Sequence, residues 1–181
     1  LLIGKTLVQM GTGTPNEARE NEKWMTEIGG AYLDVTIDPY PERIGEPESR
    51  FFISGSEAAY ELALTYLKLF GGDLRYLGEN VGAANTLDLG GLIYCLGTYI
   101  GFAHAAQVCK AEGVVLDHFA SMFEGEEPGR VLSDMVQANN FEVGAIHTGV
   151  SIKTWEGCIQ LIQDHAKQNN LNSEVPDFYS Q

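Results

Sequence analysis

Residues 82–113, GAANTLDLGGLIYCLGTYIGFAHAAQVCKAEG, constrain this chain more than any other stretch. They contain no proline, and from Leu89 to Val108 they carry no formal charge while His104 is neutral. Such a run is either a membrane span, which needs about 20 apolar residues, or a helix buried on all sides. Asp88 stands at its edge, and Thr98, His104 and Gln107 lie within it. Its flanks carry Glu79 and Glu112 as well as Lys110, so no positive-inside asymmetry marks a span. The reading taken from sequence is a buried helix and no membrane partner. Gly90, Gly91, Gly97 and Gly101 each cost about 1 kcal/mol against alanine inside a helix. Their recurrence predicts close approach by a helix, a cofactor or a substrate, and Gly97-x-x-x-Gly101 has the spacing of a helix–helix contact.

Composition narrows the partners. The formal charge of −14 over 181 residues argues against a nucleic-acid surface, which needs clustered lysine and arginine. Cys95, Cys109 and Cys158 are widely spaced, and the start Leu1-Leu2-Ile3 has no basic leader, so reduced thiols in a cytoplasmic protein are expected. The four histidines have no metal-ligand spacing, and no metal is expected. The opening without methionine reads as a piece of a longer protein.

Ahead of the long helix the chain alternates strands and helices. Lys5–Met10 reads as a well-buried strand, and Gly11-Thr12-Gly13 turns the chain. Thr14, Pro15 and Glu17 spell an N-cap, an N1 proline and a capping box, predicting a helix to about Ile28. Residues 31–37, AYLDVTI, form the next strand, and strand–helix–strand with short links implies a parallel sheet. Residues 38–48 hold three prolines and form a loop before a strand at 50–54. Ser54-Gly55-Ser56-Glu57 has capping-box spacing and opens a helix with an apolar face of Tyr60, Leu64, Leu67 and Phe70. A short edge strand at 74–78 follows. After Gly113 the text is helical, broken by GEEPG and by Asn139-Asn140. The last helix, 149–168, carries a core stripe of Trp155, Cys158, Ile159 and Ile162.

No G-x-G-x-x-G, P-loop or G-x-S-x-G is present. The Gly11–Thr14 turn before a helix reads either as an anion site or as an ordinary strand-to-helix turn. Asp88 is the informative residue. A carboxyl among apolar neighbours has a raised proton affinity and serves as a proton donor, or else is a structural aspartate bonded to an amide or an arginine.

Five stretches taken together resemble the imine reductases and reductive aminases, of the β-hydroxyacid dehydrogenase superfamily. They are the strand followed by T-G-T-P, the G-x-Y-L-D strand, the loop ending I-G-x-P, the S-G-S helix start, and R-Y-L-G before the long helix. The likeness is close from residue 4 to about 113 and looser beyond. It implies α/β followed by all-α architecture. Residues 1–80 would be the last strands of a Rossmann-like parallel sheet, 81–113 a long inter-domain helix, and 114–181 part of a helical substrate and dimerisation domain. It also implies NADPH as cofactor and an intertwined homodimer in which the helical domain of one chain closes the site of the other.

Within the superfamily, the hydroxyacid dehydrogenases carry a catalytic lysine where Asp88 falls, an S-G-G loop where Asp38-Pro39-Tyr40 falls, and Ser-Thr where Gly11-Thr12 falls. With those groups replaced, a cationic substrate is the better electrostatic match. The resemblance implies an NADPH-dependent oxidoreductase that reduces imines or iminium ions, including those formed from a carbonyl and an amine. Asp88 would be the proton donor or cation stabiliser, Thr12 would lie near the nicotinamide, and Tyr40, Leu96 and Ser151 would line the pocket. The alternatives are a β-hydroxyacid dehydrogenase-type alcohol oxidoreductase and a non-catalytic dimerising relative.

Overall fold

In the computed structural model, which describes residues 2–123 and 152–180, the first helix starts where its sequence dictates. Thr14 caps α1 (Pro15–Glu27). Its hydroxyl accepts the Glu17 N–H at 3.2 Å, while the Glu17 carboxylate accepts the Thr14 N–H at 2.7 Å. On either side of α1, β1 (Thr6–Met10) and β2 (Ala31–Ile37) pair in parallel, Val8 opposite Leu33.

The next connection is different. Between residues 38 and 49 there is only one 3-10 turn, Pro41–Arg43, and no crossover helix. The chain therefore folds back, and β3 (Arg50–Gly55) pairs antiparallel with β2. Helix α2 (Glu57–Leu67) then leads to β4 (Asp73–Tyr76), which lies parallel to β3 at the sheet edge. The order is β1-β2-β3-β4, and the sheet is mixed where the strand–helix–strand spacing alone implied an all-parallel one.

Alternation along β2 divides the two faces. Leu33 and Val35 pack with Phe51 and Ile53 of β3 and with Ala59, Ala63 and Leu67 of α2. The α2 stripe thus runs through two alanines that seat the helix close to the sheet. Of the face expected from sequence, Leu67 is buried and Phe70 is 40% exposed. Ser56 rather than Ser54 caps α2, accepting the Ala59 N–H at 3.3 Å. On the other face Tyr32 packs with Ala18, Met25 and Val81. Strand β1, expected to be well buried, alternates between half-buried and exposed residues, because it forms an edge of the described sheet.

Helix α3 (Ala83–Ala111) is continuous and ends at Gly113, whose φ of 73° is left-handed. Burial on all sides is not found among the described residues: Tyr94 is 64% exposed and Val108 52%. Only 17% of its most apolar stretch is buried, and by length and composition the helix could cross a membrane. Nor do Gly90, Gly91 and Gly101 meet a close neighbour among the described residues, since a Cβ on any of them would have no atom within 4 Å.

The chain forms two compact units. One contains the sheet, α1, α2, the start of α3 to Leu92, and the chain from Glu156 onward. The other spans Ile93–Trp155. In the second unit Phe102 and Phe119, with Phe123 just after α4 (Leu116–Ser121), stack edge to face, with ring centres 5.2–6.5 Å apart. Helix α5 (Ile152–Gln168) buries Cys158, Ile162 and Ala166, while Trp155 and Ile159 of the expected stripe are partly buried. It closes at Asn170, at φ 53°. A further short helix, α6 (Glu174–Tyr179), was not anticipated. GEEPG, Asn139-Asn140 and Ser151 lie outside the described residues.

Candidate active site

The sheet holds the start of α3 with two side chains. Asp34 of β2 and Ser54 of β3 stand directly opposite each other in register, and both are fully buried. Ser54 Oγ donates to the Val81 carbonyl at 2.7 Å and accepts the Ala84 N–H at 3.1 Å. Asp34 Oδ2 accepts the Asn85 N–H at 3.2 Å. The first N–H groups of a helix have no partner within it, so these two side chains satisfy donors that would otherwise be buried unpaired. Asn85 also donates from Nδ2 to the Thr14 carbonyl at 3.4 Å, tying the helix start to the cap of α1. Gly82 makes that approach possible, since a Cβ there would meet Pro15 Cβ at 3.0 Å.

One turn further along α3 stands Asp88, half-buried. Burial raises its proton affinity, the nearby Thr12 hydroxyl works the other way, and the Asp38 charge adds to the rise. The net shift is upward from the ordinary aspartate value. Thr12 follows β1 and Asp38 follows β2, so Asp88 faces the carboxyl ends of two parallel strands, where open α/β sheets bind their ligands. Arg50 lies 3.8 Å from Asp38. Helix α5 brings Cys158 near: burial pushes its thiol up and the Asp88 charge adds to the effect.

Asp34 is the more strongly perturbed acid. Burial pushes it up to about 7, hydrogen bonds from the Asn85 N–H and the Tyr32 hydroxyl oppose the rise, and the Asp88 charge reinforces it. The Tyr32 hydroxyl is itself pushed up to about 12, chiefly by burial. The site is thus a set of carboxyls with a raised demand for protons. It can hold a proton near neutral pH and present negative charge to a cation. Among the described residues, no three His, Cys, Asp or Glu side chains are grouped to hold a metal ion.

Of the residues singled out from sequence, the structure brings Asp88 and Thr12 together. Tyr40 is 46% exposed, at the start of the 3-10 turn. Leu96 is buried but belongs to the second unit, and Ser151 lies outside the described residues. Sequence reasoning missed Asp34, Asn85 and Ser54. The available signal was an acid between Leu33 and Val35 in a strand apolar on both sides of it.

The chain is 34% identical over 111 residues to an NADPH-dependent reductive aminase of Aspergillus oryzae, a match covering 61% of this chain and 37% of that protein. It is 29% identical over 79 residues to a 2-hydroxy-3-oxopropionate reductase of Escherichia coli, covering 44% of this chain and 27% of that one. Among solved structures it is similar to an imine reductase from Myxococcus stipitatus in complex with NADP+, at 30% identity and a TM-score of 0.65, covering 99% of this chain and 63% of that one. A 3-hydroxyisobutyrate dehydrogenase from Salmonella typhimurium shares the fold, at 17% identity and a TM-score of 0.75, over 97% of this chain and 61% of that one. No family model matches. The aligned regions thus span about a third of the curated relatives, and this chain spans just under two thirds of the solved ones.

Proposed function

We propose that this chain, whose sequence and fold match the imine reductase and β-hydroxyacid dehydrogenase superfamily, belongs to an NADPH-dependent oxidoreductase that reduces imines or iminium ions. One observation carries this reading. Asp88 is a half-buried acid with raised proton affinity, near the Thr12 hydroxyl and the Asp38 carboxylate, at the carboxyl ends of β1 and β2. A negative site of this kind suits a cationic nitrogen and repels the carboxylate of a hydroxyacid. A hydroxyacid substrate would need a cation for its carboxylate, and the groups that set the charge of Asp88 include none.

The residues present fit the nicotinamide end of the cofactor. At Gly11 a Cβ would meet only Gln9 Nε2, at 3.5 Å, so the backbone at the end of β1 is open to close approach. Gly11 and Thr12 would hold the nicotinamide and its ribose. When bound, the reduced nicotinamide supplies the hydride. Asp88 holds the proton, delivers it to the imine nitrogen, and as a carboxylate then faces the iminium it has created. The Thr12 hydroxyl orients the Asp88 carboxyl, and burial of that carboxyl limits its exchange with water.

We further propose that the exposed apolar side chains of α3 pair with a second copy of the chain rather than with lipid. Leu87, Tyr94 and Val108 are apolar and exposed, and apolar side chains exposed along one helix mark a contact surface. The open space over Gly90, Gly91 and Gly101 lets a second helix approach closely.

The direct test is NADPH oxidation by the full-length protein with a cyclic imine. Asp88→Asn should lower kcat more than tenfold with little change in NADPH binding. A loss smaller than tenfold removes Asp88 from the chemistry. Faster turnover of 3-hydroxy acids than of imines would establish the alcohol dehydrogenase reading instead.

A further inference from the structure

The first turn of α3 rests on an acid that the reduction does not itself use. Asp34 has no exposed surface. The Tyr32 hydroxyl donates to its Oδ1 at 3.4 Å, the Asn85 N–H donates to its Oδ2 at 3.2 Å, and the Asn85 carboxamide also lies against it. The titratable groups facing it are Tyr32 from its own strand and Asp88 from α3, and Tyr32 in turn faces Glu17 of α1. None of these is a cation. A buried carboxyl that faces a second carboxyl with no cation between them is held best as a neutral acid. Asn85 supplies an independent sign. Its Oδ1 is buried and accepts no hydrogen bond among the described residues, so a proton on Asp34 gives this cluster a donor that it lacks. Asn85 lies one helical turn before Asp88, so whatever seats Asn85 also sets where Asp88 stands.

We propose that Asp34 is a positioning residue for Asp88: it seats the first turn of α3 through the Asn85 N–H and keeps one proton within the Asp34–Asp88 pair. The two acids then titrate as a unit, and the proton that the unit keeps is available to Asp88. The kinetic part of this proposal rests on the imine reductase reading; the titration part does not.

The test uses the full-length protein and Asp34→Asn, which keeps an acceptor oxygen for the Asn85 N–H but cannot ionise. In carboxyl ¹³C NMR from pH 4 to 9, the Asp88 signal should titrate in two steps in the wild type and in one step in the variant. In imine reduction, the alkaline limb of kcat should move at least half a pH unit lower in the variant, with KM within twofold. Tyr32→Phe, which removes a donor to the Asp34 carboxylate, should move the second Asp88 step to higher pH and covers the case in which Asp34→Asn does not fold. A single-step Asp88 titration in the wild type overturns the pairing, as does a second step that Tyr32→Phe leaves in place. An unmoved kcat limb overturns the positioning role. A wild-type protein that turns over no imine contradicts the preceding reading, and the titration then decides the pairing by itself.

Discussion

At the scale of single residues, Asp34 makes a claim that needs no substrate. An aspartate in an unfolded chain ionises near 3.9, whereas burial in the fold pushes Asp34 up to about 7. Between those values the folded state holds a proton that the unfolded state has released. The stabilisation from this group is therefore complete below about pH 4, falls as pH rises, and is lost above about 7. At ~1.4 kcal/mol per pKa unit the swing is on the order of 4 kcal/mol. Thermal midpoints of the wild type should fall from pH 5 to 7.5 more steeply than those of Asp34→Asn; parallel curves would show that Asp34 ionises normally. The sequence made Asp88 legible because an acid at the edge of a long apolar run is conspicuous. Asp34 was not, because an acid within seven strand residues reads as one solvent-facing position of an alternating pattern. Only the packing of α3 onto that face of the sheet turns the position inward.

At the scale of elements, local chemistry was legible and long-range partnership was not. The Thr14–Glu17 capping box and the ends of α1 and α3 appear where their residues place them. The direction of β3 was hidden, because a proline-rich link does not say whether the chain crosses over or folds back. Ser54 was assigned to the wrong helix for a related reason. Its spacing to Glu57 mimics a capping box, yet its hydroxyl bridges Val81 and Ala84, 27 and 30 residues away. Ser54→Ala would leave both groups buried and unpaired, and we expect a loss of about 1–3 kcal/mol in denaturant unfolding. Ser56→Ala removes only the N-cap of α2 and should cost about 1 kcal/mol. Equal effects from the two substitutions would contradict the role given to Ser54.

At the scale of the whole molecule, one apolar helix raises both remaining questions. Uniform hydrophobicity was read as burial on all sides, and α3 instead buries only a minority of its residues among those described. Periodicity reports that a surface avoids water, not which chain covers it. Sedimentation of the full-length protein at micromolar concentration should show a dimer, and a monomer would contradict the proposed pairing of α3. The assignment of chemistry turns on Asp88 more than on any other group. Its most direct test is single-turnover NADPH oxidation by the full-length protein with a cyclic imine, comparing wild type and Asp88→Asn at pH 6 to 8. The expected result is rapid oxidation by the wild type and a rate at least tenfold lower in the variant. A rate in the variant less than tenfold lower would contradict the role given to Asp88.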